Sequence, residues 1–239
     1  MKAIRLKLYQ DYTRFNGSKC PQVKESYLLP PFSTVIGFIH SSAGWKEYHP
    51  IDLFISGSGI YNHDEIKRYW AGGGRSFGSI TPEQQKRWSV IVPDAAKPEY
   101  YKGWTQTIKH FDFLVDFNLT CYIAPDNEDD ILDIKKALLY PKNYPSLGEW
   151  GNLCRIDEVK ILDLTEYQEE KPGCLKLDSY IPIRKAGNNT GTVFRLHRNY
   201  SIINNRRVFT DENCFMLCSG QEVKTRYYDG EDPVVFLDR

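Results

Sequence analysis

Apolar and polar residues alternate with the period of a β-strand in several stretches of the chain. Near the start, Ile4, Leu6 and Leu8 fall on one side and Arg5, Lys7 and Tyr9 on the other. That pattern predicts a half-buried strand over residues 2–9 with a basic outer face. The longest alternation runs through Phe111, Phe113, Val115, Phe117, Leu119, Cys121 and Ile123. Residues 51–56 and 155–164 read as two further strands. Elsewhere the period changes to that of a helix. Behind Pro30 and Pro31, Ser33 is placed to cap a helix whose apolar stripe is Val35, Ile36, Ile39 and Ala43, with Gly44 at its end. Pro125-Asp126-Asn127 starts a second helix, with Ile131, Ile134 and Leu138 on one stripe. Its acids come early (Glu128, Asp129, Asp130) and Lys135 and Lys136 come late, as the helix dipole favours.

The order is strand, helix, strand, long insertion, strand, helix, strand. It predicts an α+β fold on the ferredoxin-like (RRM-like) βαββαβ plan over residues 1–164, interrupted at about 60–110. The interruption reads as irregular and contains Gly72-Gly73-Gly74-Arg75. Residues 165–239 read as a β-rich C-terminal extension, with strands over 180–184, 192–199 and 208–217. No internal repeat of fixed period and no low-complexity tract is present.

Composition adds bounds. The 239 residues are 41% apolar, enough for a real core, and include 16 tyrosines, whose rings suit sheet faces, interfaces and base stacking. No apolar run reaches the length that spans a bilayer, and Met1 leads straight into the first strand without a signal peptide. A cytoplasmic setting without membrane contact is therefore expected. The six cysteines (Cys20, Cys121, Cys154, Cys174, Cys214, Cys218) form no CxxC pair. Cys214 and Cys218 stand four apart in a predicted strand, on one face; they are read as buried thiols, with a zinc pair as the alternative. Net charge is zero but unevenly spread. Residues 1–110 carry 15 basic and 9 acidic side chains, 111–170 carry 5 and 14, and 171–239 carry 11 and 8. With the acid gathered in one central block, a basic surface can form elsewhere.

Several enzyme signatures are absent. Gly57-Ser58-Gly59 lacks the spacing of a nucleophile elbow, and no Lys precedes Ser79 to make residues 73–79 a phosphate loop. There is no HExxH, and the five His do not fall at ligand spacing. No cofactor and no metal are expected. A metal-independent ribonuclease, which needs only a few polar groups near a phosphate, stays open.

The stretch Tyr27-Leu28-Leu29-Pro30-Pro31-Phe32-Ser33-Thr34-Val35-Ile36-Gly37-Phe38-Ile39-His40, closing with Gly44-Trp45, resembles the N-terminal signature of one CRISPR protein family. That family is the RAMP-fold subunit, fifth in the CRISPR-associated series, which caps the crRNA 5′ handle in type I Cascade complexes. Pro145-Ser146-Leu147-Gly148 with Leu153 and Arg155-Ile156-Asp157-Glu158-Val159-Lys160 resembles the family's glycine loop entering its last strand. Thr192-Val193-Phe194-Arg195, continuing through Tyr200 to Arg207 and Phe209, is similar to the C-terminal part of the type I-B branch. The family's glycine loop usually carries a basic residue just after the glycine; here Glu149 and Trp150 follow, leaving backbone amides and Trp150 as its contacts.

The resemblance implies a non-catalytic crRNA-binding subunit for antiviral defence. Its partners would be the crRNA 5′ handle, the backbone RAMP subunit and the large subunit, with target DNA met indirectly. It also implies that the insertion includes a β-hairpin thumb, with Arg75, Lys86 and Arg87 toward nucleic acid. The residues themselves fit this. Arg14, Lys19 and Lys24 can neutralise phosphates. Ser33 and Thr34 stand at a helix start whose amides suit an anion, and Tyr27 can stack a splayed base. Gly37 inside a helix costs about 1 kcal/mol against Ala, which a close approach of backbone or RNA would explain. Gly148 and Trp150 complete the expected RNA contacts, together with Arg75, Lys109 and His110. Two alternatives remain. One is a metal-independent endoribonuclease acting on precursor crRNA, in which His110 moves a proton, Lys109 stabilises the pentavalent phosphate and Tyr27 assists. The other is a structural adaptor whose basic loop contacts protein.

Overall fold

The computed structural model describes residues 1–17, 23–77, 81–88, 90–96, 100–149, 151–204 and 206–239; side chains at 23, 62–77, 84, 107 and 202 lie outside that description. The described chain is α+β, mostly antiparallel sheet with three α-helices. Its first elements are β1 (Lys2–Thr13), β2 (Phe15–Asn16), β3 (Val23–Lys24), β4 (Ser26–Tyr27), α1 (Phe32–Ala43), β5 (Ile51–Phe77), α2 (Pro82–Arg87) and β6 (Val90–Pro93). Then come β7 (Tyr101–Pro125), α3 (Asp130–Leu139), β8 (Arg155–Asp163), β9 (Thr165–Cys174) and β10 (Asp178–Pro182). The last are β11 (Thr192–Ile203), β12 (Arg206–Leu217), β13 (Glu222–Asp229) and β14 (Asp232–Val234). Two compact units result. One comprises Met1–Asn16, Ser26–Tyr61 and Phe113–Arg239; the other comprises Gly17–Glu25 and Asn62–Asp112.

In the first unit the strands are ordered β11-β12-β10-β5-β7-β1-β8. Strand β1 is antiparallel to both neighbours, with Leu6 opposite Cys121 of β7 and Val159 of β8. Because side chains alternate along a strand, β1 feeds two cores. Ile4, Leu6 and Leu8 join Leu119, Cys121 and Ile123 beneath Phe32, Ile36 and Ile39 of α1 and Ile134 and Leu138 of α3. On the opposite face, Ala3, Phe54, Tyr122 and Ala124 meet Val223, Val234 and Phe236. The last three come from the small sheet β14-β13-β9 and the segment after it. Each large apolar side chain so buried contributes about 1.5–3 kcal/mol.

Several expectations are corrected here. The outer face of β1 is only partly open: Lys7 is exposed, whereas Arg5 is half-buried and pairs with Glu158 at 2.6 Å and also with Asp229. The Tyr122 hydroxyl donates to the same Asp229 at 2.9 Å. Residues 126–129 form a turn ahead of α3, held by Asp130 N–H to Asn127 O at 3.1 Å. Residues 165–239 are more than an extension, because β10, β11 and β12 continue the main sheet. Strand β9 is polar and contains Pro172; it is a strand because it pairs with β13 at the edge of its sheet, where a missing N–H is tolerated. Cys214 is buried in β12, but that strand stops at Leu217 and leaves Cys218 exposed, so the two do not share a strand face. Among the described residues no group of three potential metal ligands occurs, and no helix is long and apolar enough to cross a membrane.

The second unit replaces the irregular stretch expected over 60–110 with strands and a short helix. Strand β6 pairs with β7, Val90 opposite Trp104, and β3 runs parallel to β7 with Lys24 opposite Phe111. Gly103 lets the Trp88 ring lie against the backbone: a Cβ there would come within 2.5 Å of it. Asp94 is buried, pairs with Lys102 at 3.2 Å and accepts the Ala96 N–H at 2.9 Å.

Asp52, 4% exposed, secures the chain terminus to the first unit. Its carboxylate accepts the N–H groups of Leu53, Leu237, Asp238 and Arg239 at 2.9–3.2 Å. Burial pushes its pKa up, and these bonds oppose the rise. Hydrogen bonds to a charged acceptor contribute about 1.5–3 kcal/mol each. Asp52→Ala is therefore expected to lower unfolding free energy by roughly 3 kcal/mol or more in urea titration, and an unchanged midpoint would disprove this role. Thiol mapping provides a second check. Burial pushes the Cys154 and Cys214 thiols up to about 12 and Cys121 higher still. In the native protein Cys174 and Cys218 should react with a maleimide while these three stay protected.

Candidate nucleic-acid interface

Helix α1 begins directly behind the two prolines. Its N-cap is Pro31, with φ −56° and ψ 150°, and no side chain caps it. The Pro31 carbonyl accepts the N–H of Thr34 at 2.9 Å and of Val35 at 3.4 Å. Ser33 is thus not the cap; it lies inside the first turn, because the helix already starts at Phe32. Pro30 and Pro31 set an extended approach, and Pro31 then turns the chain without a donor to lose. At the far end Gly44 takes the left-handed conformation, φ 71°, and its N–H and that of Trp45 close on Ser41 and His40 carbonyls.

The glycine loop follows α3 and is tied to β1. The Gln10 carboxamide donates to the carbonyls of Leu147 and Asn152, both at 3.0 Å. The Thr13 hydroxyl donates to Leu147 O at 3.2 Å. Gly148 has φ +94°, and a Cβ there would fall 2.7 Å from the Arg14 carbonyl oxygen. Only glycine fits this contact without strain. The next residue, Glu149, pairs with the buried Arg14 guanidinium. Arg14 thus supports the loop from within and does not face solvent.

The start of α1, the glycine loop and the β11–β12 hairpin line one cleft of about 700 Å³. Ser33, Thr34 and Gly37 come from the helix, Pro145 to Gly148 from the loop, and Tyr200, Arg207 and Phe209 from the hairpin. Its cations are Lys46, Lys142 and Arg207, and no carboxylate is among its described lining residues. In a chain with as many acids as bases, this selects for an anion.

One wall is aromatic. The Tyr200 ring lies edge-on to Tyr48 at 5.1 Å and 6.1 Å from Phe209, with the Arg207 guanidinium over it at 4.9 Å. His197 stacks on Phe209 at 4.6 Å. Behind the helix end, Trp45 stacks on His49 at 3.9 Å, and His49 meets Asp130 at 2.9 Å. His40 is buried; its Nε2 accepts the His49 N–H at 3.0 Å, so Nδ1 carries the proton toward the Ile36 carbonyl. Burial keeps its pKa below the ordinary histidine value.

Of the residues singled out in the sequence, Ser33, Thr34 and Gly148 come together in this cleft. Tyr27 is in β4, half-buried, with its ring edge-on to Phe194 at 5.8 Å. Burial raises its pKa, and Asp211 adds to the rise. Lys24, Lys109 and His110 belong to the second unit, on β3 and β7. Arg75 lies on β5, with its side chain outside the description, and Lys19 and Trp150 lie outside the described residues. Reading the sequence overlooked Lys46, Lys142 and Tyr144, and assigned no role to Tyr200, Arg207 and Phe209. The only signal for the last three was their place in the weakest of the three resemblances.

A scan against protein-family models and a search of curated proteins found no match. Among solved structures, the chain is similar to a chain of a CRISPR RNA-guided surveillance complex. That match has TM-score 0.57 and 15% identity, and covers 92% of this chain and 91% of that one. A CRISPR protein from Archaeoglobus fulgidus aligns at TM-score 0.44 and 12% identity, over 99% of each chain. A chain of the Type III-B Cmr-beta complex bound to cognate target RNA aligns at 0.43 and 13%, over 94% of this chain and 86% of that one. The first of these likenesses shows a shared fold.

Because Gly148 combines a left-handed backbone with a contact to β1, Gly148→Ala should destabilise the protein by about 1–3 kcal/mol. Thermal denaturation checks this, and an unchanged midpoint would show that the loop does not need its glycine.

Proposed function

We propose that the chain is a non-catalytic CRISPR-associated subunit that holds the 5′ handle of a crRNA within a type I, I-B-like Cascade complex. The observation that carries the reading is the cleft. It joins the two segments that resemble the handle-capping family, Ser33–Thr34 and Pro145–Gly148, under three cations and without a carboxylate among its described lining residues. A ferredoxin-like plan is part of the same reading, and the strand order β8-β1-β7-β5 with α1 and α3 in the two crossovers supports it. So does the fold shared with a chain of a surveillance complex. The handle would lie along the helix start and glycine loop, with phosphates against Lys46, Lys142 and Arg207. Backbone and large subunits would be its protein neighbours, in the cytoplasm, and target DNA would be met through them. The endoribonuclease alternative, with Tyr27, Lys109 and His110 as its groups, ranks lower because the sequence resemblance is to a handle-capping subunit and implies a separate processing nuclease.

Filter binding with a 5′-handle oligonucleotide tests this. Binding should favour the handle over a scrambled RNA and weaken steeply with salt. Lys142→Ala or Arg207→Ala should each weaken it and lower the salt slope by about 0.7. Equal binding of scrambled RNA, or insensitivity to salt, would refute the reading. RNA incubated without metal should stay intact; specific cutting that is lost in His110→Ala would favour the nuclease instead.

A further inference from the structure

Gly37 sits in the middle of α1, where glycine weakens a helix relative to alanine. The fold offers no reason for it. Its backbone is helical, and a Cβ built there meets nothing within 4 Å. Neither close packing nor a left-handed conformation demands a missing side chain. Gly37 does, however, line the cleft, a helical turn beyond Ser33 and Thr34. Facing into the same cleft are Tyr200, Arg207 and Phe209. They come from two paired strands, with Tyr200 directly opposite Phe209 in the β11–β12 register.

We propose that this part of the cleft is a subsite for one unpaired nucleobase of single-stranded RNA, admitted by the absent side chain at Gly37 and stacked on the Arg207–Tyr200 pair and the Phe209 ring. The inference rests on the RNA-binding reading above. Arginine planes and aromatic rings are the surfaces on which unstacked RNA bases settle. The Arg207 guanidinium carbon already lies over the Tyr200 ring, 4.9 Å from the ring centre. Phe209 keeps 37% of its surface exposed although His197 covers one face. The cation of Arg207 meets the adjoining phosphate as well as the base. A cleft of about 700 Å³ is the size of a small-molecule site, which suits one or two nucleotides with the base turned out of any helix.

The test uses the full chain and handle RNAs carrying 2-aminopurine at one position at a time, with fluorescence and affinity read together. One position should be strongly quenched on binding. Gly37→Leu fills the opening with a better helix former, so its thermal midpoint should hold or rise. Yet quenching at that position should vanish and affinity should fall by between about fivefold and a hundredfold, the range for one lost base stack. Phe209→Ala, at an exposed ring, should give the same loss by an independent route. If the wild type binds the handle RNA but no position is quenched, or both variants bind as tightly as wild type, the subsite is wrong while the RNA-binding reading stands. Equal affinity for a fully paired RNA of the same length would also overturn it. If the wild type binds no RNA, both readings fall together.

Discussion

The first unit depends on one strand being paired on both edges, with Ile4, Leu6 and Leu8 buried on one face and Ala3 on the other. Strand β1 lies between β7 and β8, and its alternate side chains feed the cores on either side of the sheet. Such a strand admits no slip in register, since a shift of one residue would exchange Ile4, Leu6 and Leu8 for Arg5, Lys7 and Tyr9. The carboxyl end of the same strand holds the glycine loop through Gln10, Thr13 and the backbone of Arg14. The strand at the centre of the core therefore also positions the loop that lines the cleft.

Charge is organised around that frame. The acidic block of residues 111–170 is spent on other contacts or on solvent: Glu158 on Arg5, Asp130 on His49, Glu149 on Arg14. Glu149 stands where a basic residue would be expected from the family resemblance. Its pairing with Arg14 turns that departure into an internal brace for the loop. The cations left along the cleft, Lys46, Lys142 and Arg207, come from three segments distant in sequence. Zero net charge is thus compatible with an anion-binding surface, because attraction at a cleft depends on which charges line it and not on the total.

Much of the fold was legible. Period-two runs located β1, β7 and β8, and period-3.6 stripes located α1 and α3, since each is buried on one side and the apolar positions must follow the geometry. Gly44 marked a helix end because a left-handed residue was needed there. Strand β9 escaped notice because its burial is slight and pairing alone makes it a strand. The second unit escaped for a related reason: β6 is short, and its order comes from cross-strand pairs and from Trp88 against Gly103. The start of α1 was misread by two residues, as Pro31 took the capping place expected for Ser33.

By itself the sequence determined the alternation that fixes which faces of β1, β7 and β8 are buried, the two amphipathic helices, and the glycines at 44 and 148 whose backbones had to be special. These are local properties, set by the spacing of side chains along one segment. Only the tertiary structure decided that the hairpin of Tyr200, Arg207 and Phe209 would close the cleft opened by Ser33, Gly37 and Gly148. It also decided that Arg14 would turn inward to Glu149. Those outcomes depend on the order of strands in the sheet, which joins residues more than 160 positions apart and leaves no periodic trace in any one of them.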